Sequence, residues 1–268
     1  MVPGYGRYHT ARTVIYIAVL FCFAFTHADA QNTVSHHLVS APTAGALSSR
    51  TFSVETHLFD GGGVTERLRF GLTDYVTLGV SYSGSNIIGS RRVVWQPHAG
   101  AQIQIRIVEE SMTTPAFALG FDSQGTGAYI PGENLNRFRS KSKGAYIVMS
   151  RNYSLLGDFG LHAGANYSFE TADGDRDPSF WIGLNKSVTG AIEFCCEYDF
   201  ATNDNDDRSM TANRGYLNAA VRFRLNGVFT LEVNLRNILQ NEKALPDGSS
   251  SDKPEPAREL RFSYNAWF

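Results

Sequence analysis

From residue 51 onward, apolar residues recur at every second position through one segment after another. A period of two belongs to a strand whose successive side chains face opposite ways, and a helix cannot hold it. Twelve such segments can be marked: Thr51 to Phe59, Val64 to Leu72, Tyr75 to Gly84, Gly100 to Glu109, Pro115 to Asp122, Gly144 to Tyr153, Asp158 to Glu170, Ser179 to Ser187, Ala191 to Ala201, Gly215 to Leu225, Val228 to Ile238 and Arg258 to Phe268. Their lengths suit tilted strands that cross a hydrocarbon core.

The links between segments alternate in length. Thr73-Asp74, Ser111 to Thr114, Ser154 to Gly157, Val188 to Gly190 and Asn226-Gly227 are short, whereas Ser85 to Ala99, Ser123 to Lys143, Thr171 to Pro178, Thr202 to Arg214 and Leu239 to Ala257 are long and polar. Short turns on one side and long loops on the other are the habit of an outer-membrane barrel; a soluble sandwich has no reason to alternate them. Only Asp60 to Gly63 breaks the pattern. The expected fold is all-β, a transmembrane up-and-down antiparallel barrel of about 12 strands. Aromatic residues near strand ends (Tyr75, Tyr82, Phe121, Tyr153, Phe159, Phe169, Phe200, Tyr216) fit the girdles at the headgroup level.

Both ends of the chain agree with export. Arg7 and Arg12 precede an apolar run from Thr13 to Thr26, which leads to Ala28-Asp29-Ala30, a small-x-small cleavage pattern. Residues 1–30 therefore read as a signal peptide cut after Ala30, residues 31–50 as a periplasmic segment, and residues 51–268 as the barrel. In the last strand Leu260, Phe262, Tyr264, Ala266 and Phe268 share one face. A terminal Phe after such a strand resembles the signal that delivers outer-membrane proteins to the barrel-assembly machinery. Lipid and lipopolysaccharide are the expected surroundings. A net charge of −2 with interleaved signs gives no basic stripe for nucleic acid.

The polar faces carry a ladder of both signs that a barrel would turn inward: Glu55, Arg67, Arg69, Arg106, Glu193, Glu197, Asp199, Arg222, Arg224, Glu232, Arg236, Glu259 and Arg261. Glu193, Glu197 and Asp199 are expected beside Arg222 and Arg224, and closure would bring Glu259 and Arg261 against Glu55 and His57. Opposite charges on neighbouring strands support pairing, so the bore is expected to be cross-linked rather than open.

Chemistry beyond this is sparse. His36, His37, His57, His98 and His162 lie in no nucleophile or metal motif, and a Ser–His pair for a barrel hydrolase cannot be assembled from spacing. No catalytic residue and no cofactor is expected. Cys195 and Cys196 are adjacent on a strand and so face apart. The acidic runs Asp173, Asp175, Asp177 and Asp204, Asp206, Asp207 read as solvated loop charge, with a weak Ca²⁺ site at the first run as the alternative; Pro178 stands where a calcium loop needs Gly. Gly120 to Asn134 is too glycine-rich for regular structure and is expected to fold into the bore or cap it.

Asn86-Ile87-Ile88-Gly89, the stretch Gly160 to Ser168, and Glu197-Tyr198-Asp199-Phe200-Ala201 look like the YjbH-like group of outer-membrane barrel proteins. The resemblance runs from about Ala41 to Phe268. It implies a link to exopolysaccharide production or export, as a conduit or a structural partner of export components, and it carries no catalytic residue. A small-solute diffusion channel is the alternative on the residues themselves.

Overall fold

The computed structural model describes residues 35–132, 135–154, 157–206, 209–241 and 256–268. The expected signal peptide and Asp207 lie outside them. In chain order the strands are β1 (Thr51–Phe59), β2 (Gly63–Thr73), β3 (Val76–Ser85), β4 (Val94–Trp95), β5 (Gly100–Val108), β6 (Ala116–Asp122), β7 (Thr126–Ile130), β8 (Arg137–Ser140), β9 (Gly144–Ser154), β10 (Asp158–Tyr167), β11 (Ser179–Thr189), β12 (Ile192–Asp199), β13 (Tyr216–Leu225), β14 (Phe229–Arg236) and β15 (Ala257–Trp267).

Twelve of these strands form one closed antiparallel barrel in the order in which they occur, and all twelve coincide with segments expected from the alternation. The ring shuts where β15 pairs with β1, from Thr51 opposite Trp267 to Leu58 opposite Leu260. Closure leaves the barrel without an unpaired edge. At the tight turn between β13 and β14, Asn226 and Gly227 take φ of 53° and 70°, a left-handed conformation these two residue types adopt with least strain.

The faces are inverted relative to a soluble protein. Val80, Ile105, Ile147, Ile182, Phe194 and Val233 stand exposed on the outside, while Arg69, Gln104, Glu193, Arg222, Glu232 and Arg261 are buried inside. An apolar outer belt around a polar interior is what a bilayer requires of a spanning barrel. Cys195 and Cys196 are both free, the first buried inside and the second half-exposed.

Three features depart from expectation. The loop from Ser123 to Lys143 contains a two-stranded hairpin, β7 paired with β8. The strand from Asp158 ends at Tyr167, at an irregularity opposite Gly144 and Ala145, so Glu170 belongs to a loop. Residues 35–47, expected in a periplasmic segment, lie inside the barrel: Leu38, Val39, Ala41, Ala44 and Leu47 are all buried. An alternating pattern reports which strand face is polar, but says nothing of what occupies the space that face encloses.

Candidate functional site: the bore and its two closures

The wall of the bore has two unlike sides. Across β12, β13, β14, β15, β1 and β2 runs a continuous chain of ion pairs. Arg224 meets Glu193 at 2.7 Å, Glu193 meets Arg222 at 3.0 Å, and Arg222 meets Glu232 at 2.6 Å. Glu232 then meets Arg261 at 2.6 Å, Arg261 meets Glu55 at 3.4 Å, and Glu55 meets Arg69 at 3.1 Å and Arg67 at 3.4 Å. Beside this chain Glu259 holds His57 at 2.8 Å and Arg236 at 3.4 Å. Burying so many charges is favourable only because each meets a partner of opposite sign.

Three members of the expected ladder stand elsewhere. The register sets Glu197 opposite Asn218 and Asp199 opposite Tyr216, beyond the reach of Arg222 and Arg224. Asp199 instead pairs with Lys143 and accepts a hydrogen bond from Ser179 Oγ at 3.2 Å. Arg106 sits at the rim of the short turns, where it donates to the Asp74 carbonyl at 2.9 Å and lies over the Tyr75 ring. The terminal strand keeps Leu260 exposed, with Phe262 and Tyr264 half-buried, Ala266 buried and Phe268 exposed.

Opposite the chain of ion pairs, where β6, β9 and β11 face the hairpin, the wall is apolar or neutral. Ala116, Ala118, Tyr146, Val148 and Trp181 turn inward and form one buried cluster with Ala41 and Ala44. A second cluster joins Val39 to Cys195 and Ala220. These inward residues are the partners of a hairpin made by the segment that precedes β1.

That hairpin turns at Leu38 to Ala41, where the Leu38 N–H donates to the Ala41 carbonyl at 2.9 Å, and a bridge joins His37 to Pro42. Its main chain is gripped from every side. The Glu197 carboxylate accepts the N–H groups of Val39 (2.9 Å), Ser40 (2.9 and 3.0 Å) and Ala41 (2.8 Å), and Asn218 Nδ2 at 2.9 Å. Arg222 donates to the Leu38 carbonyl at 2.8 Å and Arg261 to that of Val39 at 2.8 Å. Gln104, itself fixed by the Tyr146 hydroxyl, donates to the carbonyls of Thr43 and Gly45 at 3.0 and 2.7 Å. Backbone groups removed from water need partners, and here the wall supplies them. Gly183 leaves room for the turn: a methyl group there would come within 2.4 Å of Leu38 Cδ1.

One further contact matters because it brings together residues the sequence could not. Ser150 Oγ lies 2.7 Å from His162 Nδ1, His162 Nε2 lies 2.7 Å from Asn185 Oδ1, and Asn185 Nδ2 donates to Glu193 at 2.6 Å. The order resembles a nucleophile, base and orienting amide. The Ser150 oxygen, however, accepts the Ala44 N–H at 2.8 Å, so it is engaged as an anchor for the hairpin.

The second closure lies at the end that carries the long loops. Arg137 on β8 is completely buried, with Asp173 at 2.6 Å and Asp204 at 2.6 and 2.7 Å, each from a different loop. Burial alone would depress the guanidinium, but the Asp204 and Asp173 carboxylates hold it above its ordinary value. Lys141 also reaches Asp173, at 2.8 Å. The Glu170 carboxylate accepts the N–H groups of Phe138 and Ser142 at 2.8 and 2.5 Å, and burial raises it above the usual carboxylate range.

This corrects the reading of the acidic loops as solvated at three positions, while Asp177 and Asp206 are exposed as expected. Asp173, Asp175 and Asp204 are buried, and the cation between Asp173 and Asp204 is a guanidinium. Asp175 spends its oxygens on the N–H groups of Asp177 and Asn205. The Ca²⁺ alternative at Asp173, Asp175 and Asp177 loses its first two ligands to these donors. Among the described residues no cluster of three or more His, Cys, Asp or Glu side chains is arranged to hold a metal.

The fold and bore together define a closed transmembrane barrel with an internal stopper and a hairpin lid. No protein-family model and no curated protein sequence matches the chain. Among solved structures, it is similar to the KdgM porin at 9% identity, covering 80% of this chain and 98% of that one, with a TM-score of 0.48. The Omp33 outer-membrane protein of Acinetobacter baumannii matches at 8% identity over 84% of this chain and 100% of its own, with a TM-score of 0.44. The COG4313 outer-membrane channel of Pseudomonas putida F1 matches at 12% identity over 90% and 100%, with a TM-score of 0.43.

Proposed function

We propose that this chain is an outer-membrane channel for small polar solutes, stoppered from within by its own hairpin. One observation carries the reading. A polar recess lies on each side of the hairpin, one toward the loops and one toward the short turns, and the two share His36, His37, Glu55 and Arg69 in their linings. The hairpin and those few side chains stand between them. A barrel serving only as a post would gain more from filling its interior with side chains of its own strands.

In this reading the loop end faces outward and the short turns face the periplasm, as in other barrels of this kind. Residues 1–30 are removed during export. Cleavage after Ala30 would leave Gln31 a few residues before Ser35, so the stopper would be a free N-terminus that can withdraw without threading. Sequencing of the mature protein should begin at Gln31.

The test is conductance in planar bilayers. The full chain should be silent for most of the recording, and a variant lacking residues 35–46 should conduct steadily once its barrel is shown to be folded by heat-dependent gel migration. A folded deletion variant as silent as the full chain would overturn the channel reading. The link to exopolysaccharide export rests on the likeness of Asn86 to Gly89, Gly160 to Ser168 and Glu197 to Ala201 to YjbH-like proteins. It predicts a change in surface polysaccharide on deletion of the gene, and unchanged amount and composition would remove it.

A further inference from the structure

We infer that the recess on the loop side of the hairpin is a binding site for a small solute carrying a carboxylate or phosphate. Its cationic side chains outnumber its carboxylates by six to four. More telling is how unevenly the two signs are satisfied.

Every carboxylate in the recess is engaged by the protein. Glu197 holds three backbone N–H groups and Asn218. Glu55 is shared by three arginines, and Asp199 takes Lys143 together with the N–H of Ala201 at 2.9 Å. Asp122 accepts the N–H of Gln124 at 2.8 Å.

Two of the cations are held loosely. Arg67 has Glu55 at 3.4 Å and Asp122 at 3.9 Å, and Arg236 has Glu259 at 3.4 Å. Arg261, by contrast, has Glu232 at 2.6 Å and donates to the Val39 carbonyl at 2.8 Å. Buried guanidinium groups are ordinarily held by close carboxylates, so two whose partners stand at 3.4 Å or more leave positive charge on the lining of one recess for an anion to meet. Both arginines project from the same part of the wall, since β2 and β14 flank the adjacent pair β1 and β15. A planar carboxylate or a phosphate offers the two acceptor oxygens a guanidinium fork matches. Neutral sugars offer hydroxyls and lack the charge.

The inference does not depend on conduction, because binding can be measured whether or not the stopper moves. Calorimetric titration of the full chain in detergent with D-glucuronate, inorganic phosphate and D-glucose tests it. Binding of both anions with none of glucose is the expected result. Glucuronate alone would narrow the site to acidic sugars, and phosphate alone to phosphate-bearing solutes. The double variant R67Q/R236Q should bind at least tenfold more weakly, whereas R106Q, altered at the opposite rim, should bind as the parent does. If R67Q/R236Q does not fold, R67K/R236K keeps the charge without the guanidinium fork and should also bind more weakly. Absence of binding by either anion at millimolar concentration, or unaltered affinity in the folded double variant, would overturn the proposal.

Discussion

Residues 35–47 and the β7–β8 hairpin both close the bore, yet the polar grip on the first falls mainly on its main chain, whereas the second is centred on one buried side chain, Arg137. Around the stopper, Glu197, Arg222, Arg261 and Gln104 all reach for backbone N–H or carbonyl groups. In the lid, one guanidinium gathers two carboxylates from separate loops. The first arrangement spreads its polar grip over many main-chain contacts, with Leu38, Val39 and Ala41 packed against the wall beside them. The second turns on Arg137, with Lys141 and Glu170 in support.

The largest effect should therefore come from R137A. It leaves Asp173 and Asp204 buried with their main counter-charge gone, and breaking a buried pair in this way costs about 3–5 kcal/mol. Hydrogen exchange should show Arg139 to Ser142 and both acidic loops losing protection, while the amides of Val39 to Ala41 keep theirs. Loss of protection at both places would mean that the closures are one cooperative unit, and the contrast would fail.

A smaller and opposite result is expected of E197Q. The amide keeps one acceptor oxygen and turns donors toward N–H groups, so the turn of the stopper loses acceptors it needs; each unmade buried hydrogen bond costs about 1–3 kcal/mol. Exchange at Val39 to Ala41 should quicken and channel openings should become more frequent, with the lid unchanged. If openings stay as rare as in the parent while exchange quickens, the hairpin is loosened without being the gate.

The difference between the closures also explains what could be read from sequence. The wall was legible because a period of two survives in every strand, and closure of β15 on β1 follows from twelve alternating segments. The stopper left a fainter trace. In β6 and β9 both faces are apolar, with Ala116 and Ala118 beside Phe117 and Leu119, and Tyr146 and Val148 beside Ile147 and Met149. One such face meets lipid, and the other implies something apolar inside the bore. The lid left less. Arg137 follows a glycine-rich stretch, its partners lie 36 and 67 residues further on, and acidic residues in a loop ordinarily meet water. The misplaced partners of Glu197 and Asp199 reflect register, which alternation alone does not fix.

The finest test of the contrast is a substitution that should do almost nothing. Ser40 sits at the turn of the stopper and donates its N–H to both Glu197 oxygens, yet its Oγ has no hydrogen-bond partner among the described residues. If the wall reads the main chain, S40A removes only an unused hydroxyl. Stability should then change by less than about 0.5 kcal/mol, the range of substitutions that touch no specific interaction. Conductance should remain as silent as in the parent. A rise in openings in S40A would show that the turn is held by its side chain after all, and that stopper and lid differ in degree rather than in kind.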